Sequence, residues 1–269
     1  MGLGATRRTI SPGVAFRRLG TAVAMCGLLA APAAAQVNIE DLRPEEAPEG
    51  RSGSVRGDVD FQTGNVSFLR LGLEARVNQV DDGVHTLVVG DGGLGFLGSS
   101  RFSSSGLLHL RRTYWVTDAV APEWFLQTNY DRSRLLAFRL LAGGGIRSPR
   151  YRPDWGSIGG GTSLMVEHER FMLDDTASHP REVTVLRSSS FLTFQGEVGE
   201  GLVLSSTTYV QPRITDPGDI RILENLSAET DVTDRVALAI SFDLRYDSRP
   251  PDETSSLDTR LRTGLILRY

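Results

Sequence analysis

The chain has 269 residues, with 29 basic and 33 acidic side chains and a formal net charge of −4. This acidic balance argues against nucleic acid as a partner, because nucleic-acid-binding proteins present an excess of lysine and arginine to the phosphates. The sequence contains no run of about 20 apolar residues, so a transmembrane helix is also excluded.

Residues 1–35 have the pattern of a secretory signal peptide. A basic start is followed by an apolar run from Leu19, and three alanines precede the cleavage expected before Gln36. Two pairs of adjacent arginines leave a twin-arginine route open, but that route exports folded proteins, whereas a membrane barrel crosses unfolded. The single cysteine, Cys26, follows Met25, where a lipoprotein signal has a small residue. The mature chain then has no cysteine, so disulfides cannot stabilise it.

Residues 36–52 are polar and acidic and contain two prolines, which predicts a flexible periplasmic lead-in. From residue 53 to residue 269, segments of about 10 to 14 residues with alternating polarity are separated by turn residues. No change in composition marks a second domain. We therefore expect residues 53–269 to form one all-β domain.

The first two predicted strands already alternate between an apolar and a charged face. Val55, Val59 and Phe61 share the apolar face of the first strand, and Leu69 and Leu71 begin that of the second. The charged face carries Arg56, Asp58, Asp60, Arg70, Glu74 and Arg76. A period of two is typical of a strand and excludes a helix.

Turn residues divide the chain into connections that alternate between the two ends of the sheet. One end is predicted to hold residues 63–65, 98–105, 131–134, 173–182, 212–220 and 247–256. The other end is predicted to hold residues 80–83, 117–123, 147–155, 199–201 and 233–235. This gives about twelve strands, an even number that places both chain ends in the periplasm.

Strand boundaries between residues 135 and 160 are the least regular. The glycine triplets at 143–145 and 159–161 interrupt the alternation there. Neither triplet has the Lys-Ser/Thr ending of a phosphate-binding loop. We interpret these glycines as positions where a barrel wall curves tightly and leaves room for neighbouring side chains.

The last two predicted strands, residues 236–246 and 257–269, alternate over their full length. The charged face of these strands carries Asp243, Arg245, Asp258, Arg260 and Arg262. Alternation alone fits either a soluble sandwich or a membrane barrel. These strands are longer than the roughly 5 to 6 residues usual in soluble sheets and match the roughly 9 to 11 that cross a bilayer. We therefore predict a transmembrane antiparallel up-and-down β-barrel of about twelve strands in the bacterial outer membrane, with its apolar face in the lipid bilayer.

The C-terminus has the pattern of an outer-membrane assembly signal. Tyr269 is an aromatic last residue, and Leu265 and Leu267 precede it at alternating positions. The barrel assembly machinery is the expected partner, since it can pair its own strand edge with an exposed last strand.

The charges of the second face are predicted to point into the lumen, and neither sign dominates among them. They can pair across a narrow lumen and fill it, or they can line a selective pore. Both possibilities stay open at this point. Arg245 is expected to pair with Asp243, Asp247 or Asp258.

Candidate catalytic and metal-binding residues are few. Glu167 and Glu169 can share a strand face, but His168 then points away from both, so no metal or cofactor is predicted. His109 and the serines 188–190 could serve an outer-leaflet enzyme that modifies lipids, but no G-x-S-x-G motif accompanies them. No catalytic residue is predicted, and an enzyme remains the alternative rather than the leading hypothesis.

The sequence also resembles a known family. Residues 243–251 and 258–269 resemble the closing strands of the salt-induced outer-membrane protein family, also called domain of unknown function 481. Three shorter segments resemble it as well, at residues 63–65, 129–132 and 233–235. The resemblance covers residues 53–269, with departures at Val66, where the family has Thr, and in the long connection 147–155.

The resemblance implies an outer-membrane barrel with a periplasmic N-terminus and no established activity. The leading hypothesis is a structural or narrow-channel barrel that responds to salt or envelope stress. A lipid-modifying enzyme of the outer leaflet is the alternative, and an adhesive barrel acting through its outer loops is a third. The oligomeric state is left open.

Overall fold

The computed structural model describes residues 49–62, 67–117, 120–148, 151–198 and 201–268. Within these ranges, twelve antiparallel strands form a closed barrel in which each strand pairs with its neighbours in sequence and the last pairs with the first. The strands are β1 (Gly50–Gln62), β2 (Phe68–Asp81), β3 (Val84–Leu97), β4 (Ser100–Tyr114), β5 (Ala121–Asp131), β6 (Leu136–Arg147), β7 (Gly156–Phe171), β8 (Glu182–Val198), β9 (Leu202–Arg213), β10 (Asp216–Thr233), β11 (Val236–Asp247) and β12 (Leu257–Arg268). The predicted all-β, up-and-down barrel of about twelve strands is confirmed.

The barrel has two distinct ends. The start of β1 and the end of β12 meet at one end, which we call the terminal end. The opposite end, called the loop end, holds the long connections 172–181 and 248–256 and a 3-10 turn, Arg132–Arg134, between β5 and β6. In the part of the chain that the structure describes, no helix has the length and apolar character needed to cross a membrane.

Two of the predicted connections are wrong. The connection predicted at 98–105 consists only of residues 98–99 in the structure, and the one predicted at 212–220 consists only of residues 214–215. Serine-rich segments are typical of turns, but in β4 the side chains of Ser103 and Ser105 are buried in the barrel. Small polar side chains suit the polar inner wall of a barrel, so a polar segment there can still be a strand.

Other boundaries differ by a few residues or cannot be compared. The first strand begins at Gly50, inside the segment predicted as the lead-in. The predicted signal peptide at 1–35, the turn at 63–65 and the last residue, Tyr269, lie outside the described residues.

The barrel has an apolar outer surface and a polar interior, the reverse of a soluble protein. On the outer wall, Val59 and Leu261 are 70% and 71% exposed, whereas the inward Glu167 and Asp131 are 0% exposed. Near the terminal end the outer wall carries exposed tryptophans, which are Trp115, Trp124 and Trp155. Aromatic side chains flank the apolar band of outer-membrane barrels in this way. The outer wall therefore faces lipid, and the barrel lies in the bacterial outer membrane.

The seam between β1 and β12 is short. These strands share four registered pairs, from Ser54–Arg268 to Gly57–Leu265. By contrast, the register of β1 with β2 runs over the whole of β1. The barrel therefore closes chiefly near the terminal end, where Leu265 and Leu267 are 54% and 55% exposed on the outer wall.

Candidate functional site in the barrel interior

The charges predicted for the lumen lie on four neighbouring strands around the seam. They occupy alternate positions of β12, β1, β2 and β11, on the face opposite the exposed apolar side chains. The register places residues of opposite charge side by side, which are Arg56 and Glu74, Asp60 and Arg70, Asp243 and Arg260, and Arg245 and Asp258. Cross-strand pairs of opposite charge stabilise a sheet.

The ion pairs among these charges differ in how deeply their side chains are buried. Arg262 Nη2 lies 3.0 Å from Asp243 Oδ2, and both side chains are about 15% exposed. Arg70 Nη1 lies 3.7 Å from Asp60 Oδ2, with the aspartate side chain 58% exposed. Further into the barrel, Arg56 Nη2 donates to Ser241 Oγ at 3.2 Å. The remaining members, which are Asp58, Arg76 and Arg260, are half-buried.

Each acid expected to pair with Arg245 also binds another side chain. Asp243 accepts from Arg262, Asp247 accepts from Arg221, and Asp258 pairs with Arg134. Arg245 is itself buried, at 7% exposed. Loss of its side chain would therefore leave each of these three acids with a partner, contrary to the expectation from sequence.

The most completely buried charges form a network that the sequence did not reveal. Glu167 on β7 is 0% exposed. One of its oxygens lies 3.3 Å from Arg139 Nε and also accepts from Arg221 Nη1. The other accepts from Arg187 Nε at 2.7 Å. A single carboxylate thus binds guanidinium groups from β6, β8 and β10.

Glu169, two residues along β7, extends the same network. It accepts from Arg139 Nε at 2.8 Å and from Arg221 Nη2 at 2.8 Å. Arg221 Nε also donates to Asp247 Oδ2 at 2.8 Å. The buried ion-pair network, as we name it, comprises Arg139, Glu167, Glu169, Arg187, Asp219, Arg221 and Asp247.

The loop end of the lumen is bridged and covered. Arg134 Nε, in the turn between β5 and β6, lies 3.4 Å from Asp258 Oδ2 on β12. Since β6 and β12 are six strands apart in a ring of twelve, this pair reaches across the barrel. Pro251, in the connection before β12, lines a small cavity together with Arg139, Glu169, Arg221 and Asp247 of the buried ion-pair network. Backbone N–H of His179 donates to Asp252 Oδ2 at 2.7 Å, so the two long connections are joined.

An apolar layer fills the middle of the barrel. Its members are Phe125, Leu141, Met165, Phe191, Tyr209 and Leu223. A cavity of about 30 Å³ has room for about two water molecules, and it is lined by these side chains together with polar ones that include Arg111, Glu123 and Gln211. A Cβ at Gly143 would lie 2.5 Å from Phe125, and one at Gly161 would lie 2.5 Å from Phe191. The prediction that the glycine triplets make room for neighbouring side chains is confirmed at Gly143 and Gly161.

A second group of buried charges lies below this layer, towards the terminal end. Glu123 accepts from Arg147 Nη1 at 3.3 Å and lies 3.7 Å from Arg111 Nη1. The guanidinium groups of Arg111 and Arg147 lie over the rings of Phe125 and Phe191, at 5.5 and 5.3 Å from the ring centres. Cation–π contacts of this kind stabilise a desolvated arginine. Charged groups thus lie on both sides of the apolar layer.

His109 and His168, for which no catalytic or metal-binding role is predicted, lie in different places. His109 is 1% exposed inside the barrel and pairs with Gln127 Oε1 at 3.0 Å, so it is not on the outer wall. His168 points outward while Glu167 and Glu169 point inward, as predicted. Among the described residues, no group of three or more histidine, cysteine and acidic side chains is arranged to hold a metal ion.

Outward His168 has two polar neighbours on β8. Its Nδ1 lies 2.8 Å from Thr184 Oγ1, and its Nε2 lies 3.4 Å from Glu182 Oε1. All three side chains lie on the outer wall near the loop end. A hydroxyl, an imidazole and a carboxylate are therefore brought together by the β7–β8 register.

The fold is similar to solved outer-membrane proteins. An outer membrane channel from Pseudomonas putida F1 is 10% identical, with a TM-score of 0.50 over 83% of this chain and 97% of that chain. The translocator domain of autotransporter NalP from Neisseria meningitidis is 13% identical, with a TM-score of 0.43 over 86% of this chain and 92% of that chain. The likeness to the channel supports the barrel fold and, at this identity, the fold alone.

Sequence comparison gives the family. A search of the curated proteins found no match. The model of the family described as "Protein of unknown function, DUF481" matches residues 106–269. The matched region exceeds half of the chain and includes β5 to β12, the strands that carry all seven residues of the buried ion-pair network. The family that the sequence predicts is confirmed, and the chain belongs to the DUF481 family.

Proposed function

We propose that this protein is a structural outer-membrane barrel with a narrow, weakly conducting lumen. The observation that carries the proposal is Glu167, whose carboxylate is 0% exposed and binds three arginines from three strands. In an open, water-filled lumen such side chains would be hydrated. Because water does not reach them, side chains occupy this part of the barrel interior.

The size of the barrel supports a narrow lumen. Barrels of about 8 strands are filled by side chains, whereas those of 16 to 18 strands enclose an aqueous channel, so twelve strands fall between. Among the predicted lumen charges around the seam, Arg56, Glu74 and Arg245 are about as buried as the network. The others are more exposed than the network, and they are Asp58, Asp60, Arg70, Arg76, Asp243, Asp258, Arg260 and Arg262. We propose that they line the remaining passage. Since both signs are interleaved there, the passage should select only weakly between cations and anions.

Leakage from proteoliposomes tests this function. The wild-type barrel should release entrapped glucose slowly, because the interior is occupied. The double substitution Arg139→Ala with Arg221→Ala removes two long side chains from the buried ion-pair network and should increase the leakage rate. Arg181→Ala is the matched control, since Arg181 is about half exposed and pairs with Asp175 at the surface.

Folding of each variant is checked by its shifted mobility in unheated detergent gels. Fast glucose release by the wild type would contradict a narrow lumen. A folded double variant that leaks no faster than Arg181→Ala would show that the network does not restrict the passage.

A response to salt, which we also propose, would act through Arg134 and Asp258. Their side chains are 16% and 24% exposed, so dissolved ions can reach them. The screening length falls from about 30 Å at 0.01 M salt to about 3 Å at 1 M, which weakens a pair that bridges the loop end. The single-channel conductance divided by the salt concentration should then rise with salt more steeply in the wild type than in Asp258→Asn. Equal salt dependence in both proteins would rule out this site.

A second candidate function is hydrolysis of lipid esters in the outer leaflet. It is favoured by Thr184, His168 and Glu182, since a hydroxyl next to a base that is held by an acid can act as a nucleophile. The wild type should then release fatty acid from phospholipid vesicles, and Thr184→Ala should not. Thr259→Ala, on the outer wall of β12, is the control. Wild-type protein that releases no fatty acid would remove this candidate.

A further inference from the structure

An acidic side chain lies on the outer wall of the barrel. Strand β10 alternates between its faces, so Leu223 is buried inside and Leu226 is 46% exposed outside. Glu224 shares the outer face with Leu226. Its register neighbours are Thr208 on β9 and Leu244 on β11.

This carboxylate lies within the apolar belt rather than at its edge. Towards the loop end, the next outer-wall residues are Ile222 and its register neighbour Val210, which is 38% exposed. Towards the terminal end lie Leu226 and, further along the neighbouring strand, Ile240, which is 46% exposed. Apolar side chains therefore flank Glu224 on both sides along the wall.

Two hydroxyl groups bind the carboxylate, and a second pair of hydroxyls lies diagonally across the wall, beside the exposed apolar Leu192 and Val210. Ser206 Oγ donates to Glu224 Oε1 at 2.8 Å, and Thr208 Oγ1 donates to Glu224 Oε2. On the adjoining strands, Thr162 Oγ1 and Ser190 Oγ lie 3.0 Å apart and are exposed. We name these five residues the hydroxyl patch. The patch crosses four strands, from β7 to β10.

The surrounding acyl chains cannot form hydrogen bonds with the polar groups of this patch. A carboxylate has about four acceptor sites, and the two hydroxyl bonds use about half of them. Burying polar groups in hydrocarbon without further hydrogen bonds costs free energy, and acidic groups within a membrane therefore face other polar groups. A surface that carries its own donors and acceptors should cover the patch.

We propose that the hydroxyl patch is the contact surface between two copies of this chain. Two copies inserted in the same direction carry the patch at the same depth, so a twofold axis along the membrane normal brings the patches together. The patch is self-complementary, because hydroxyls of one copy can donate to Glu224 of the other. Its serines and threonines are small, which lets two walls approach closely. A lipid headgroup lies at a different depth and matches the patch less well.

Cysteine cross-linking in the membrane tests the proposal. Ser190→Cys, in a full chain that carries Cys26→Ser, should form disulfide-linked dimers when an oxidant is added. Thr128→Cys is the matched control, because Thr128 lies on the outer wall of β5, away from the patch. The control should stay monomeric at the same expression level. Equal cross-linking at both positions would overturn the proposal.

Removal of the carboxylate gives the second arm of the test. Adding Glu224→Leu to the Ser190→Cys chain should lower the dimer yield by roughly tenfold, since polar contacts between membrane segments contribute about this much. An undiminished yield would show that Glu224 does not hold two copies together. If Ser190→Cys does not fold, as judged by gel mobility, Thr162→Cys takes its place. If the wild-type barrel is monomeric in lipid nanodiscs, lipid covers the patch, and this result also overturns the proposal.

Discussion

The Glu167→Gln substitution should lower the free energy of unfolding by about 3 kcal/mol. Breaking a buried ion pair costs about 3 to 5 kcal/mol, because the remaining charge is left in a dry site. The lower end of this range applies here, since each of the three arginines around Glu167 keeps another acidic partner. Glutamine keeps the shape of the side chain, so the loss reports on charge rather than on packing.

Urea unfolding in lipid vesicles measures this change. The fluorescence of Trp115, Trp124 and Trp155, which are exposed on the lipid side, follows the loss of the barrel. Asp60→Asn is the matched control, because the Asp60 side chain is 58% exposed and lies 3.7 Å from its arginine. An exposed ion pair contributes under about 1 kcal/mol, so the control should unfold nearly as the wild type does.

Equal, small effects of the two substitutions would refute this reasoning. Such a result would mean that water screens Glu167 as well as it screens Asp60. The lumen would then be wide and hydrated around the network, and the proposal of a filled interior would fail.

Three further predictions concern the wall and its assembly. In the same urea assay, Phe242→Arg, within the outer apolar belt, should destabilise the barrel by about 2 to 4 kcal/mol. Val232→Arg, near the edge of the belt, should cost about 1 kcal/mol or less. Equal costs would mean that the position of the belt is wrong. Gly161→Ala should destabilise by about 1 to 3 kcal/mol, because the new Cβ meets Phe191. Gly90→Ala, which has nothing within 4 Å of the new atom, should show no such loss, and a tolerated Gly161→Ala would contradict the close packing. Deletion of Tyr269 should lower the amount of barrel in outer-membrane fractions while synthesis continues, and normal amounts would show that the last residue is not an assembly signal.

The strand pattern could be predicted wherever one face meets lipid. In β12, Leu261, Leu265 and Leu267 share the exposed face because every second side chain contacts hydrocarbon, whereas Arg260, Arg262 and Ile266 lie on the inner face. The prediction was wrong in β4, where Ser103 and Ser105 are strand residues of the inner wall. Composition alone does not distinguish a turn from a polar strand of the lumen wall, since water or polar side chains can hydrogen-bond to the polar groups of both.

The buried ion-pair network could be predicted only in part. That Glu167 and Glu169 share a face follows from strand periodicity and is confirmed. Their partner Arg221 lies three strands away on β10. Its height in the barrel depends on the register irregularity between Asp216 and Ile220, and an alternating pattern does not encode such a shift. The contacts across the lumen could therefore be identified only from the structure.

Single-channel recording in planar bilayers tests the filled interior most directly. The purified wild-type barrel should give small current steps with weak preference between potassium and chloride, because the buried ion-pair network around Glu167 occupies the lumen. Arg139→Ala with Arg221→Ala should give larger steps in the same recording. Large, stable steps from the wild type, unchanged in the double variant, would contradict a lumen filled by ion pairs.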